Sequence, residues 1–413
     1  MVDTTLLLHA NLLYAEFPFS EIPNVIDKSY LPVLEMLEKN PAYRLVLNFS
    51  GFTLDVLGGA FPEYGKYPEV VDLVKTLIKK KQVEITGTSW SHAILPLMTL
   101  EEVRRDLGRY LDTALRVLGI RPAGFFPPEL SIDPLLPMVL AENGYRWCFV
   151  DDGLIRYTTG GWLNVANDFK PAPPSLSKEI AAASRKGPLS QLWVLMKLKR
   201  SIRSLTDLSP IVWDGAGAAS IVALRSFHQW NTYTLSCLGR MAIMKEKRLY
   251  KMLDKTVPNL SGFFLPSSGD FEFYGYRGNV LEQAIPVSRL RALLEYIHQS
   301  PHMTFTLPSE YLKKTDTKSL PDLYLRSGSW STDADFALWD ADPDNRRLND
   351  LVREARDLYH RVGPSLGKKE HEMVQKYLLM AQGSDGRGWT PIPEHRLFCY
   401  NAALSALAIL EKK

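Results

Sequence analysis

Cysteine is scarce. Cys148, Cys237 and Cys399 lie far apart in 413 residues, with no C-x-x-C pair. That set excludes a disulfide framework and a zinc site of the usual spacing, and reads as buried free thiols in a reducing compartment. Long apolar runs are also missing: none reaches the ~18 residues that a membrane-spanning helix needs. The opening segment MVDTTLLLHANLLYAEF has no Lys or Arg before its apolar stretch, carries Asp3 and is broken by His9 and Asn11. It is therefore expected to be a core β-strand rather than a signal peptide, and the protein to be cytoplasmic. Net charge is small, +3 from 49 basic and 46 acidic residues, which argues against a dedicated nucleic-acid binder. No G-x-G-x-x-G follows the first strand-like run, so a dinucleotide-binding sheet lacks support. No internal repeat is visible. With 46% hydrophobic and 23% charged residues the chain is globular, excluding disorder and coiled coil.

What is present is alternation. Short apolar or β-branched runs occur at Thr4–His9, Tyr43–Ser50, Gln82–Trp90, Ala123–Pro127, Arg146–Asp151, Ala219–Ser226 and Gly262–Pro266. Most are continuously hydrophobic, as parallel strands covered on both faces should be. Amphipathic stretches intervene at Tyr30–Lys39, Glu69–Lys81, Leu100–Leu118 and Leu135–Asn143, the third preceded by a capping-box pattern, Thr99 to Glu102. Seven strands with helices between them predict an α/β fold, a seven-stranded parallel β/α barrel, with an open doubly wound sheet as the alternative. Beyond about Met303 helical patterns dominate, at Asn345–Val362, His371–Gln382 and Leu397–Leu410. The expected organisation is a barrel over residues 1–310, interrupted by an insertion at 167–213, and a docked helical module over 311–413.

In such a barrel, reactive groups gather where the strands end. The first strand ends at His9-Ala10-Asn11; the third offers Glu84, Trp90 and His92. The fourth ends at Pro127-Pro128-Glu129, the fifth at Asp151-Asp152, and the seventh runs into Asp270 and Glu272. Two prolines before Glu129 supply no amide donors and stiffen its turn. Two carboxylates facing one cavity, with aromatic platforms, suit glycosidic-bond chemistry: one attacks or stabilises the sugar cation, the other donates a proton to the leaving oxygen. Trp90, Trp213, Trp330 and Trp389 are candidates for stacking on sugar rings, and Asp152 for hydrogen bonding to them.

The segments VEITGTSWSHAILPL, GFFPPELSIDPLLPMVLAENGYRWCFVDD, SGDFEFYG and LLMAQGSDGRGW resemble, in order, the motifs of glycoside hydrolase family 57. The resemblance implies a retaining enzyme acting on α-glycosidic bonds, of α-amylase or 4-α-glucanotransferase type, on a seven-stranded β/α barrel followed by helices. It implies Glu129 as nucleophile and Asp270 as acid/base. His9, Glu84, His92, Glu272 and Asp385 fall on motif positions that line or brace a sugar pocket. It brings no cofactor and no metal; the implied partner is an α-linked glucan or oligosaccharide, acted on by hydrolysis or by transglycosylation. The chemistry requires Glu129 ionised and Asp270 protonated, about 5–5.5 Å apart, with Phe271 and Phe273 as the neighbours expected to favour the neutral acid. Two motifs depart from the family: His-Gln-Pro is here His9-Ala10-Asn11, and the tryptophan of Ser-Asp-Trp is displaced to Trp389.

Two other functions compete. A metal-dependent deacetylase would use Asp151-Asp152 with His298 and His302, although Pro301 spoils a helical pair of ligands. A non-catalytic sugar binder would have less reason to keep both Glu129 and Asp270. Residues 181–206 hold six basic side chains (Arg185, Lys186, Lys197, Lys199, Arg200, Arg203) and no acid, leaving the rest of the chain at 3 − 6 = −3. With Leu192, Trp193, Met196, Ile202 and Leu205 at helical spacing, this reads as an amphipathic helix. Three roles fit it: a packed surface helix, a lid over the cleft, or a membrane-surface contact.

Overall fold

The computed structural model describes residues 1–159, 193, 196, 198–200, 202–203, 206–240, 244–279, 283–331, 335–388 and 391–413. The expected insertion at 167–213 falls largely outside these residues. Within its basic stretch, Leu198 and Ile202 are buried while Trp193 and Met196 are more than half exposed.

Strands and helices alternate as the hydrophobic runs foretell. In chain order they are β1 (Val2–Thr4), β2 (Leu6–Ala10), α1 (Leu31–Glu38), β3 (Leu45–Phe49), α2 (Pro68–Lys79), β4 (Val83–Gly87) and α3 (Leu100–Leu118). Next come β5 (Gly124–Phe125), α4 (Leu136–Glu142), β6 (Trp147–Asp151), β7 (Ile211–Asp214), β8 (Ser220–Ser226) and α5 (His228–Leu238). Later elements include β9 (Ser261–Phe264), β10 (Ser268–Asp270), α6 (Val287–Gln299), β11 (Asp322–Tyr324), α7 (Pro343–Val362), α8 (Lys368–Ala381) and α9 (Pro393–Leu410). Helix α3 begins where the capping box places it: Thr99 accepts from the Glu102 amide while Glu102 accepts from the Thr99 amide.

The main sheet runs β10-β2-β3-β4-β5-β6-β8-β7-β11, and every pairing is parallel except β7 with β8. β2, β3 and β6 are buried at every position, which explains their nearly continuous hydrophobicity, broken only by His9, Asn48 and Asp151 toward their ends. The ladders do not close this sheet into the expected barrel. At the open seam β8 and β10 meet through side chains, Ser226 Oγ lying 2.9 Å from Ser268 Oγ. Arg225 also reaches from β8 to the Ser209 carbonyl at 2.8 Å, and Asp207–Leu208 pairs with β9. β7 and β11, not foreseen as strands, extend the sheet past β8.

Alternation along the strands decides what faces inward. Leu7, Val46, Trp147, Phe149, Leu224 and Phe263 belong to one small apolar cluster, distinct from the larger core between strands and helices. Two residues further along β2 and β3, on the same faces, stand His9 and Asn48. The C-terminal helices α7, α8 and α9 pack on one another around Ala355, Leu378 and Ala406. Between α8 and α9 the chain turns through Ser384–Gly386, and that turn reaches the strand ends: Ser384 donates its amide to the His92 carbonyl at 3.1 Å.

Candidate active site

A cavity of about 360 Å³ opens where the strands end, within the range that encloses a small ligand. His9, His92, Glu129, Asp270, Trp330 and Asp385 all line it.

Glu129 sits in a turn held in the left-handed region, with φ of 55° at Glu129 and 46° at Leu130. His92 shares this strain at φ 55°. Each such residue without glycine costs about 1–2 kcal/mol, and of six non-glycine residues with positive φ among those described, these three line the cavity. The strain is held from outside. Ile132 and Gly328 exchange backbone hydrogen bonds at 2.8 and 3.0 Å, and the Trp330 indole N–H donates to Glu129 Oε2 at 2.6 Å. Trp330 in turn stacks on His228, ring centroids 5.3 Å apart. Burial pushes the Glu129 carboxyl up to about 7, against the opposing pull of His92 and of the Trp330 bond.

The two histidines stack at 4.7 Å but carry opposite electrostatics. Burial disfavours charge on His92, yet the bond and charge of Asp385, 3.2 Å away, outweigh it and hold His92 above the ordinary imidazole range. Burial, then the neighbouring His92, presses His9 down to about 4; its Nδ1 lies 2.6 Å from Asn48 Oδ1. Asp385 also accepts from Asn11 Nδ2 at 2.8 Å and from the Ala15 amide at 3.2 Å. Asn11 thus has a definite place where the family has another residue: it ties the first strand end to the C-terminal turn.

Asp270 is bound to a residue that nothing in the sequence singled out. Arg277 Nη2 donates to Asp270 Oδ2 at 2.7 Å and Nη1 to Glu16 Oε2 at 2.6 Å. Its guanidinium lies 3.8 Å from the Tyr14 ring and 4.4 Å from that of Phe273. This corrects the expected environment of Asp270. Phe273 lies against Arg277, and Phe271 is buried against Tyr30. An arginine seven residues after Asp270 has no periodicity to betray it; the aromatic side chains that sandwich it come from two distant segments.

Several sequence candidates lie elsewhere, each for a physical reason. Glu84 lies on the sheet face of Val46 but sits near the start of β4, where it accepts from the Ser309 amide at 3.0 Å and from the Ser309 hydroxyl. Trp90 is fully buried, its indole N–H donating to Asp55 at 2.9 Å and Arg109 lying 4.4 Å from its ring. Asp152 is paired with Arg156 and Arg225, and Trp213 is buried on β7. Glu272 is buried just beyond the cavity wall, accepting from the Asn11 amide at 3.0 Å and from the Tyr30 hydroxyl. Burial, then Asp270, pushes Glu272 up to about 7. Trp389 lies outside the described residues. His298 and His302 are away from the cavity, and among the described residues no three His, Cys, Asp or Glu side chains are grouped to hold a metal. No described helix is long and apolar enough to cross a membrane.

The glycosyl hydrolase family 57 model matches residues 8–198. A Pyrococcus horikoshii α-amylase is 31% identical over 131 residues, which are 32% of this chain and 20% of that protein. Two solved structures share the fold. The GH57-type branching enzyme of Pyrococcus horikoshii superposes with TM-score 0.66 at 14% identity, covering 100% of this chain and 88% of that one. The Thermococcus litoralis 4-α-glucanotransferase does so with TM-score 0.63 at 17% identity, covering 98% of this chain and 59% of that one. The chain therefore spans about three fifths of the glucanotransferase, and its sequence match covers a fifth of the amylase.

Proposed function

We propose that this chain, whose residues 8–198 match the glycosyl hydrolase family 57 model, is a retaining enzyme acting on the α-glycosidic bonds of an α-glucan or α-linked oligosaccharide, by hydrolysis or by transfer. The observation that carries this reading is the convergence of Glu129 and Asp270 on one cavity at the strand ends, with Trp330 beside them. We take the parallel strands as a seven-stranded barrel completed across the Ser226–Ser268 seam, spanning residues 1–310, with residues 311–413 as the docked helical module.

Glu129 attacks the anomeric carbon as the leaving oxygen takes a proton from Asp270. Water or an acceptor sugar hydroxyl then displaces Glu129, with Asp270 removing the proton. Trp330 fixes the nucleophile's orientation, and the raised affinity of Glu129 for a proton makes its carboxylate a better base and nucleophile once ionised. His92, charged through Asp385, lies beside the same cavity and favours the Glu129 anion.

Products from α-1,4- and α-1,6-linked oligosaccharides, resolved by anomer and measured with and without an acceptor, test the reading. Release or transfer with retained α-configuration is expected. Inverted products, or no turnover of any α-linked substrate, would overturn it.

A smaller prediction follows from the indole bond. Trp330→Phe removes the donor to Glu129 but keeps an aromatic ring over His228. Without that donor the Glu129 carboxyl binds its proton more tightly still, so more base is needed to ionise it. The acid limb of the kcat/KM profile is expected to move to higher pH by about one unit. An unmoved limb would show that the bond does not tune Glu129.

A further inference from the structure

We propose that a second cavity, between the loop after β4 and the C-terminal helices, binds a small oxyanion: phosphate, free or as part of a sugar phosphate. This cavity of about 230 Å³ is lined by Leu97 and Met98 on one side and by Arg353, Arg356 and Arg387 on the other. It shares no lining residue with the catalytic cavity.

Arg387 carries the argument. It is only 6% exposed, yet its Nε donates to Asn349 Oδ1 at 2.6 Å and its Nη1 to the Gly383 carbonyl at 2.9 Å, both neutral acceptors. No ion pair is formed by its guanidinium among the described residues, and no carboxylate figures among its main electrostatic neighbours, which are Cys399, Tyr400 and Arg396. Arginine cannot shed its proton to escape this, so a buried guanidinium lacking an anion is an unmet demand.

The other charges do not meet it. Arg353 pairs with Asp350 at 2.8 Å at the surface. Arg356 lies 3.5 Å from Glu102 and 3.6 Å from Asp357. Asp340, the acidic residue in the cavity's lining, accepts from Asn349 Nδ2 at 2.8 Å, so an amide stands between it and Arg387. Arg387 is thus the lining guanidinium without a carboxylate partner among the described residues. Arg353 and Arg356, held by acids outside the lining, stand beside it where an anion with several acceptor oxygens could be engaged by more than one N–H fork. The turn that holds Arg387 also holds Asp385, so a bound anion would lie two residues from the partner of His92.

Titration calorimetry and thermal unfolding of the full chain with inorganic phosphate, glucose 1-phosphate and sodium chloride at matched ionic strength test the site. Saturable phosphate binding and a rise in Tm that chloride does not reproduce are expected. Arg353→Ala combined with Arg356→Gln is expected to weaken binding about tenfold, and Arg387→Met to abolish it. The Arg353→Ala/Arg356→Gln variant keeps the test decisive should Arg387→Met fail to fold. Tighter binding of glucose 1-phosphate would identify the sugar phosphate as the ligand; equal binding would identify free phosphate. Absence of saturable binding, or affinity unchanged in the Arg353→Ala/Arg356→Gln variant, would overturn the proposal.

Discussion

Glu129→Gln is expected to lower kcat on an α-glucan substrate by on the order of 10⁴-fold, the scale of losing a covalent nucleophile. Glutamine keeps the side chain's size and can still accept the Trp330 N–H, so the cavity and the substrate's contacts with it should survive. The loss should appear in kcat, with binding little changed. Stability should move the other way. Burial raises the carboxyl's pKa to about 7 in the folded protein, against an ordinary glutamate value of 4.5, so the folded state holds its proton more tightly than the unfolded chain does. Folding is therefore weakened as pH rises from about 4.5 to 7, and above 7 the full penalty applies. At 1.36 kcal/mol per unit this amounts to at most about 3 kcal/mol. Glu129→Gln removes it, so the variant's unfolding free energy should exceed the wild type's at pH 8 and converge on it near pH 4. An inactive but more stable protein at pH 8 would separate lost chemistry from lost folding. Near-normal activity would refute the nucleophile assignment.

The positions of seven strands were legible because they depend on local hydrophobicity and on chain order, whereas β7, β11 and the separate strand β10 were not. Leu6–Ala10 and Trp147–Asp151 are buried throughout, and their mainly apolar character said so. Placement of side chains around a strand was harder. Glu84 and Asn48 both face inward, but one stands near a strand's start and the other near its end, and only the end reaches the cavity. The aromatic candidates divided in the same way. Trp90 and Trp213 were drawn into the core, whereas Trp330, in a segment with no periodic pattern, came to rest on Glu129. Arg277 was beyond reach of any local pattern because its position depends on Tyr14 and Glu16, from near the N-terminus, meeting Asp270. The same holds for Asn11: its change from the family pattern was visible, but not that its amide would tie Asp385 to the first strand.

Asp270→Asn should give the second large effect, and one that depends on the leaving group. With a natural glucan, whose departing sugar oxygen needs a proton, kcat/KM is expected to fall about 10³-fold; general acid catalysis contributes roughly 10²–10⁴-fold. With an α-glycosyl fluoride, fluoride departs with little help and the first step should be nearly normal. Release of the glycosyl-enzyme would then be slow, because no base remains to activate water, and a burst of fluoride followed by slow turnover should be seen. Arg277 gives this prediction a second arm. Its Nη2 contact with Asp270 is made in full by the anion, whereas proton donation needs the neutral acid, so entry of the leaving-group sugar has to loosen that contact. Arg277→Met should therefore leave the fluoride's first step intact and change the glucan rate, since only the glucan reaction needs that contact loosened. A burst that does not appear in Asp270→Asn, with glucan and fluoride affected equally, would show that Asp270 positions substrate rather than carrying the proton. A glucan rate unchanged in Arg277→Met would show that the Arg277 contact is already broken before the proton is transferred.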